Sequence, residues 1–168
     1  MSGRFLAGVG ALLWNAASDS YLLLRRAKDK DYAAGLWECV TGRVEQGESF
    51  EQALRREVRE ELGVEVWIEF IIGTTHFFRG EAAPEQELLG VVYCCSIAGR
   101  SQIRIGPEHD AYRWTTYAGA RALLGDQPSE AWLLEVLRRA EFLRTHLTPD
   151  VRSFFRFNGF ETNGQPPI

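Results

Sequence analysis

Residues 42–64, GRVEQGESFEQALRREVREELGV, constrain this chain more than any other stretch. The middle reads as a helix. Ser49 stands where an N-cap belongs, and Gln52 three residues later fits a capping box. Phe50, Leu54, Val58 and Leu62 recur at every fourth position and form one apolar stripe. Gly63 suits the left-handed position that ends a helix. At about 100° per residue, Glu57, Glu60 and Glu61 fall within about a third of the circumference, beside the stripe. Like charges so spaced repel and weaken a helix. A cation there relieves the repulsion, and closely set carboxylate oxygens suit a hard divalent ion, Mg²⁺ or Mn²⁺. Arg55, Arg56 and Arg59 are interspersed, so a solvated Glu/Arg face accounts for the same residues.

The rest of the chain sets the scaffold. At 168 residues with 45% hydrophobic side chains, it suffices for one domain with a real core. A net charge of −4 argues against a nucleic-acid or membrane-surface partner, while leaving room for a local basic pocket. No apolar run reaches membrane-spanning length, and the N-terminus lacks a signal-peptide pattern, so the expected location is cytoplasmic. Cys39, Cys94 and Cys95 offer neither a disulfide framework nor a zinc spacing, and reduced, buried thiols are expected.

Residues 4–14 and 21–26 read as two antiparallel strands around a polar turn, followed by a solvated loop from Lys28 to Asp31. Residues 36–40 form a short strand that leads into residues 42–64. After the helix, residues 64–78 are dense in β-branched and aromatic side chains, with a bulge or bend at Gly73. Residues 87–97 are almost continuously apolar, as in a central strand buried on both faces. A last strand covers 111–115 and a short helix 117–124. Asp126 then caps a longer helix with a core stripe of Leu133, Val136, Leu137, Ala140 and Leu143. The tail, 148–168, reads as irregular and aromatic-rich, with Phe154, Phe155, Phe157 and Phe160. It covers the protein's own core or buries a dimer surface, so monomer and homodimer both stand. This order of elements predicts an α/β (α+β) fold, a mixed sheet with helices on both faces.

The spacing within residues 42–64 is similar to the signature of the Nudix hydrolases. That signature runs Gly, five residues, Glu, seven residues, Arg-Glu, an aliphatic, any residue, Glu-Glu, any residue, Gly, an aliphatic. Gly42, Glu48, Arg56, Glu57, Val58, Glu60, Glu61, Gly63 and Val64 occupy those places without departure. At average amino-acid usage this coincidence has odds on the order of 10⁻⁹ per starting point. The resemblance implies an α/β/α sandwich over residues 1–147, with the signature held as loop–helix–loop. It also implies Mg²⁺-dependent hydrolysis of a nucleoside diphosphate linked to another moiety, with Mn²⁺ as a possible substitute.

The resemblance further implies roles for single residues. Glu60 and Glu61 are the principal metal ligands, and Glu57 is a further ligand or the group that orients or deprotonates water. The carbonyl of Thr41, beside Gly42, completes the coordination. Arg56 and Glu48 form a supporting pair. Glu108, in the string EHDAYRW, is an additional ligand or base, or a plain surface glutamate. Of Arg25 and Arg26 only one points into the cleft, because neighbouring strand residues face opposite ways, and Arg26 is the one expected to meet phosphate. Trp37 and Phe78 stack on a planar ring or pack in the core. His109 could serve in place of Glu108, but as a single loop histidine it is expected to be solvated. Val-Thr-Gly at 40–42 and the EHDAYRW string are similar to dihydroneopterin triphosphate pyrophosphatases, which favours a small nucleoside triphosphate-like substrate releasing pyrophosphate. The alternatives are a non-catalytic nucleotide-binding Nudix domain and an enzyme acting on RNA 5′ ends; the acidic balance argues against the second.

Overall fold

A computed structural model describes residues 4–30, 33–99 and 102–162. Asp31 and the last six residues of the expected tail therefore lie outside the described residues. Seven strands form one mixed sheet among them. They are β1 (Leu6–Asn15), β2 (Ser20–Arg26), β3 (Trp37–Glu38), β4 (Val40–Arg43), β5 (Val66–Phe78), β6 (Glu87–Ile97) and β7 (His109–Thr115). The helices are α1 (Phe50–Leu62), α2 (Tyr117–Leu124), α3 (Ala131–His146) and α4 (Pro149–Asn158).

β1 organises the sheet. It runs parallel to β6, from Leu6 opposite Leu88 to Leu13 opposite Cys95. Its other edge is shared: Gly8 to Ala11 pair antiparallel with β4, and Trp14 and Asn15 pair with β2. β5 lies antiparallel to β6, and the register shifts between Ile71 and Gly73, where the glycine was expected to bend the strand. The expected single strand over 36–40 is instead divided, because Trp37–Glu38 pair with β2 whereas Val40–Arg43 pair with β1.

Alternation along the strands builds two apolar layers. Val9, Ala11, Leu13, Leu22 and Leu24 face α1, where they pack with Leu54, Val58 and Leu62. Leu12, Tyr21 and Leu23 face the opposite way, toward Ala120, Leu133, Leu137 and Ala140 of α2 and α3. Helices thus cover both faces of a mixed sheet, as the element order predicts. Cys39, Cys94 and Cys95 are free, buried thiols within these layers.

Two further expectations are corrected. Asp126 does not cap α3: a 3-10 turn at Pro128–Glu130 intervenes, and α3 starts after Glu130 with no side-chain cap. The tail is not irregular throughout: its described part, 148–162, holds a helix. Thr148 caps α4 through a bond from the Val151 N–H, and Pro149 occupies its first turn. α4 then packs on β5, where Arg156 reaches the buried Glu69. Beyond it, Phe155 stacks on Phe160 at 4.6 Å, and Phe160 meets Tyr93 edge-on. The aromatic residues that made this segment look sticky are partly its own packing surface. Among the described residues, no helix is long and apolar enough to cross a membrane.

Candidate active site

β4 delivers the chain into the loop before α1, and the caps fix that helix at both ends. Ser49 accepts the Gln52 N–H while the Gln52 side chain accepts the Ser49 N–H, which closes the expected capping box. Gly63 ends the helix at φ 66°, a conformation that disfavours other residues. At Gly42 the requirement is space. An added Cβ would stand 1.9 Å from the Glu57 carboxyl carbon, so only glycine lets β4 lie against that side chain.

Arg56 binds the loop to the helix. Its guanidinium meets both oxygens of Glu48, at 2.7 and 2.9 Å, and donates to the Arg43 carbonyl and to Glu57 at 2.8 Å each. This fork geometry is one that arginine alone supplies. It holds the Glu48 carboxyl well below the usual range, at about 2, chiefly through the Arg56 hydrogen bonds.

The three helix glutamates are not equivalent. Glu57 and Glu61 face inward, with side chains 15% and 12% exposed, while Glu60 stands at the rim at 59%. Burial pushes the Glu61 carboxyl up to about 9, and the neighbouring Glu38, Glu57 and Glu108 carboxylates add to the rise. One Glu61 oxygen, Oε2, is buried without a hydrogen-bond partner among the described residues. No three His, Cys, Asp or Glu side chains among those residues already stand as a coordination set. The donor chemistry nevertheless fits a hard cation. The Glu38, Glu57 and Glu108 carboxylates near Glu61, and the orphaned buried oxygen of Glu61 itself, are oxygen donors of the kind a hard divalent cation takes.

A cavity of about 480 Å³ opens beside this cluster. Thr41, Gly42, Glu38, Glu108 and Arg26 form its polar end. Arg26 bonds Glu38 and Glu108 there, each at 3.3 Å. Arg25 points elsewhere: it pairs with Asp110 at 2.6 Å, and its guanidinium lies 5.9 Å from the Trp37 ring centroid. Trp37, Phe78 and Trp132 line the remainder. Trp132 donates its indole N–H to Thr75 Oγ1 at 3.1 Å, which fixes the ring at the wall.

Sequence reasoning missed Glu38, Trp132 and the true setting of His109. His109 is not solvated. Its side chain is 1% exposed, and it bonds Glu38 Oε1 at 2.8 Å. The cause is a bulge: Arg25 pairs with Ala111 and Arg26 with His109, so the ladder skips Asp110 and turns the imidazole inward. Glu38, in a two-residue strand, carried no periodic signal. Trp132 reads as one more aromatic on an apolar helix.

The sequence matches the family model described as NUDIX domain over residues 4–137. The nucleoside triphosphatase NudI of Escherichia coli O139:H28 (strain E24377A / ETEC) is 34% identical over 103 residues, covering 56% of this chain and 72% of NudI. An octanoyltransferase of Myxococcus xanthus is 37% identical over 93 residues, which span 55% of this chain and 25% of that protein's length. Among solved structures, the MutT protein from Methanosarcina mazei Go1 superposes with a TM-score of 0.68 at 23% identity, covering 86% of this chain and 98% of that one. The chain belongs to the Nudix family. It is a hydrolase of nucleotide diphosphate linkages, a class that generally uses divalent metal ions.

Proposed function

We propose that this chain is a Mg²⁺-dependent pyrophosphohydrolase, with Mn²⁺ able to substitute. Its substrate is a small nucleoside triphosphate-like molecule or another nucleoside diphosphate derivative. The observation that carries this reading is the buried, unpartnered oxygen of Glu61 among converging carboxylates beside the cavity. Glu57, Glu60, Glu61, Glu108 and the Thr41 carbonyl beside Gly42 would hold the ion. When bound, it supplies charge neutralisation on phosphate oxygens and activation of a water.

The chain's own residues do the rest. Arg26, already at the polar end of the cavity, presents its guanidinium to phosphate. Arg25 is the less suited of the two, because it pairs with Asp110 and is not among the residues that line the cavity. Trp37 and Phe78 offer ring faces to a planar base. Arg56 and Glu48 keep the loop and Glu57 in place, and Glu57 orients the attacking water or takes its proton. The name of NudI, a nucleoside triphosphatase, supports a triphosphate over other diphosphate derivatives. Three buried, unpaired thiols suit a reducing, cytoplasmic setting. Residues 1–147 are the catalytic unit in this reading, and residues 148–168 an appended segment. The protein works as a monomer or homodimer.

The test is phosphate and pyrophosphate release across a panel of nucleoside triphosphates and nucleoside diphosphate derivatives, with Mg²⁺ or Mn²⁺. Pyrophosphate release that is lost in Glu60→Gln and Glu61→Gln is the expected result. A wild-type protein inactive on the whole panel would overturn the reading, as would unimpaired glutamine variants.

A further inference from the structure

His109 stands between two carboxylates that belong to different elements. Its Nε2 lies 2.8 Å from Glu38 Oε1 on β3, and its Nδ1 lies 3.8 Å from Glu61 Oε2 on α1. Neither His109 Nδ1 nor Glu61 Oε2 has a hydrogen-bond partner among the described residues, and both atoms are shut from water. Buried polar atoms are seldom left so, and here two of them face each other.

The main chain fixes this approach. The Gly106 N–H donates to the Glu61 carbonyl at 2.9 Å, and the His109 N–H donates to the Gly106 carbonyl at 3.2 Å. The turn that carries the imidazole is therefore tied to the very helix residue the ring faces. On the other side, Glu38 is held by Arg26 at 3.3 Å, and the Glu108 carbonyl accepts the Ala27 N–H at 2.8 Å. Hydrogen bonds thus link Arg26, Glu38 and His109, and the unpartnered Nδ1 of His109 faces Glu61.

We propose that His109 is a positioning residue whose imidazole ties Glu38 to Glu61 and holds the Glu61 carboxylate in the orientation that receives a divalent cation. It acts through Glu61 and touches neither substrate nor water. Partners of this kind fix the direction of a metal-binding side chain. The inference rests on the reading of Glu61 as a metal ligand given above.

The experiment measures Mn²⁺ binding to the intact protein without substrate, by calorimetry and by the electron paramagnetic resonance of free Mn²⁺. The variants are His109→Ala, His109→Asn, His109→Gln and Glu61→Gln, each with a melting curve. An asparagine amide nitrogen falls near the place of Nδ1, and a glutamine amide nitrogen near that of Nε2. His109→Ala and His109→Gln are expected to weaken Mn²⁺ binding about 10- to 100-fold. His109→Asn restores most of the affinity. In turnover, kcat falls in the first two while KM for the nucleotide stays unchanged. A folded His109→Ala that binds Mn²⁺ like the wild type overturns the proposal. So does rescue by glutamine but not asparagine, a comparison that decides the matter even where the alanine variant does not fold. Glu61→Gln separates the two levels. Undiminished binding there removes the ligand assignment itself, whereas lost binding there with intact binding in the His109 variants removes only the positioning role.

Discussion

Gly42 and Glu57 occupy one another's space: a Cβ on the glycine would lie 1.9 Å from the carboxyl carbon and 2.2 Å from Oε1 of the glutamate. The strand and the helix of the signature are joined at a contact that tolerates no side chain on one partner. Two positions of the motif that lie fifteen residues apart are thus one structural unit.

Gly42→Ala is expected to push Glu57 aside. Displacement of a catalytic group by about 1 Å costs about 100-fold in kcat/KM. Overpacking lowers stability by about 1–3 kcal/mol. Steady-state kinetics and urea unfolding on the same preparation check both, and an alanine variant with wild-type turnover would show that Glu57 does not need its present place.

The Arg56–Glu48 pair predicts a pH dependence. Glu48 has its folded value lowered from 4.5 to about 2 by the Arg56 hydrogen bonds. Its contribution is present above about pH 4.5 and is lost as pH falls toward 2, because the unfolded chain takes up the proton first. Glu48→Gln should flatten the melting temperature against pH in that range. Arg56→Lys should not restore what Arg56→Ala removes, since an ammonium cannot span both oxygens of Glu48 and the Arg43 carbonyl together.

Glu61 gives the opposite slope. Its folded value is raised from 4.5 to about 9 by burial and by neighbouring carboxylates, so the metal-free folded protein retains a proton that the unfolded chain releases. Stability without metal should therefore decline as pH rises from about 4.5 to about 9, and Glu61→Gln should remove this decline. Mn²⁺ affinity should rise over the same interval, because the ion displaces that proton. Melting curves and calorimetry at several pH values read both trends.

Trp132 is expected to set substrate affinity. Trp132→Ala should raise KM by about 2- to 10-fold, the scale of one stacking contact, with kcat little changed. Thr75→Val removes the 3.1 Å acceptor that fixes the indole and should give a smaller shift of the same sign. A KM unchanged in both variants would place the bound ring elsewhere in the cavity.

Arg156 is expected to secure the last helix. Glu69, 3% exposed, is paired with Arg156 and accepts from Ser96 Oγ at 2.5 Å. Arg156→Ala leaves that buried carboxylate without its cation and should cost about 3 kcal/mol in chemical denaturation. Truncation after Thr148 should expose Glu69 and Tyr93 together, and light scattering of that chain reports whether α4 also supports a dimer.

Much of the scaffold was legible because its signals are local. The Ser49–Gln52 box, Gly63, and the stripe of Leu54, Val58 and Leu62 each declare themselves within a few residues, and the structure contains each of them. Where a second element competes, the reading fails. Residues 36–40 divide because β2 and β1 claim different parts. Asp126 loses the cap because Pro128 starts a 3-10 turn before the helix can begin. The tail was misjudged because its aromatic composition outweighed the Thr148-Pro149 start and the Gly159 stop that bound α4.

The sequence by itself determined the reaction class, since a fixed spacing of glycine, arginine and glutamates on one helix turn needs no distant partner to be recognised. Only the tertiary structure decided how those glutamates differ. The pairing of β7 with β2 skips Asp110, buries His109 against Glu38 and faces it to Glu61, while Glu60 remains at the rim. Burial and long-range proximity set the electrostatics of each carboxylate, and neither is written in the spacing of residues along the chain.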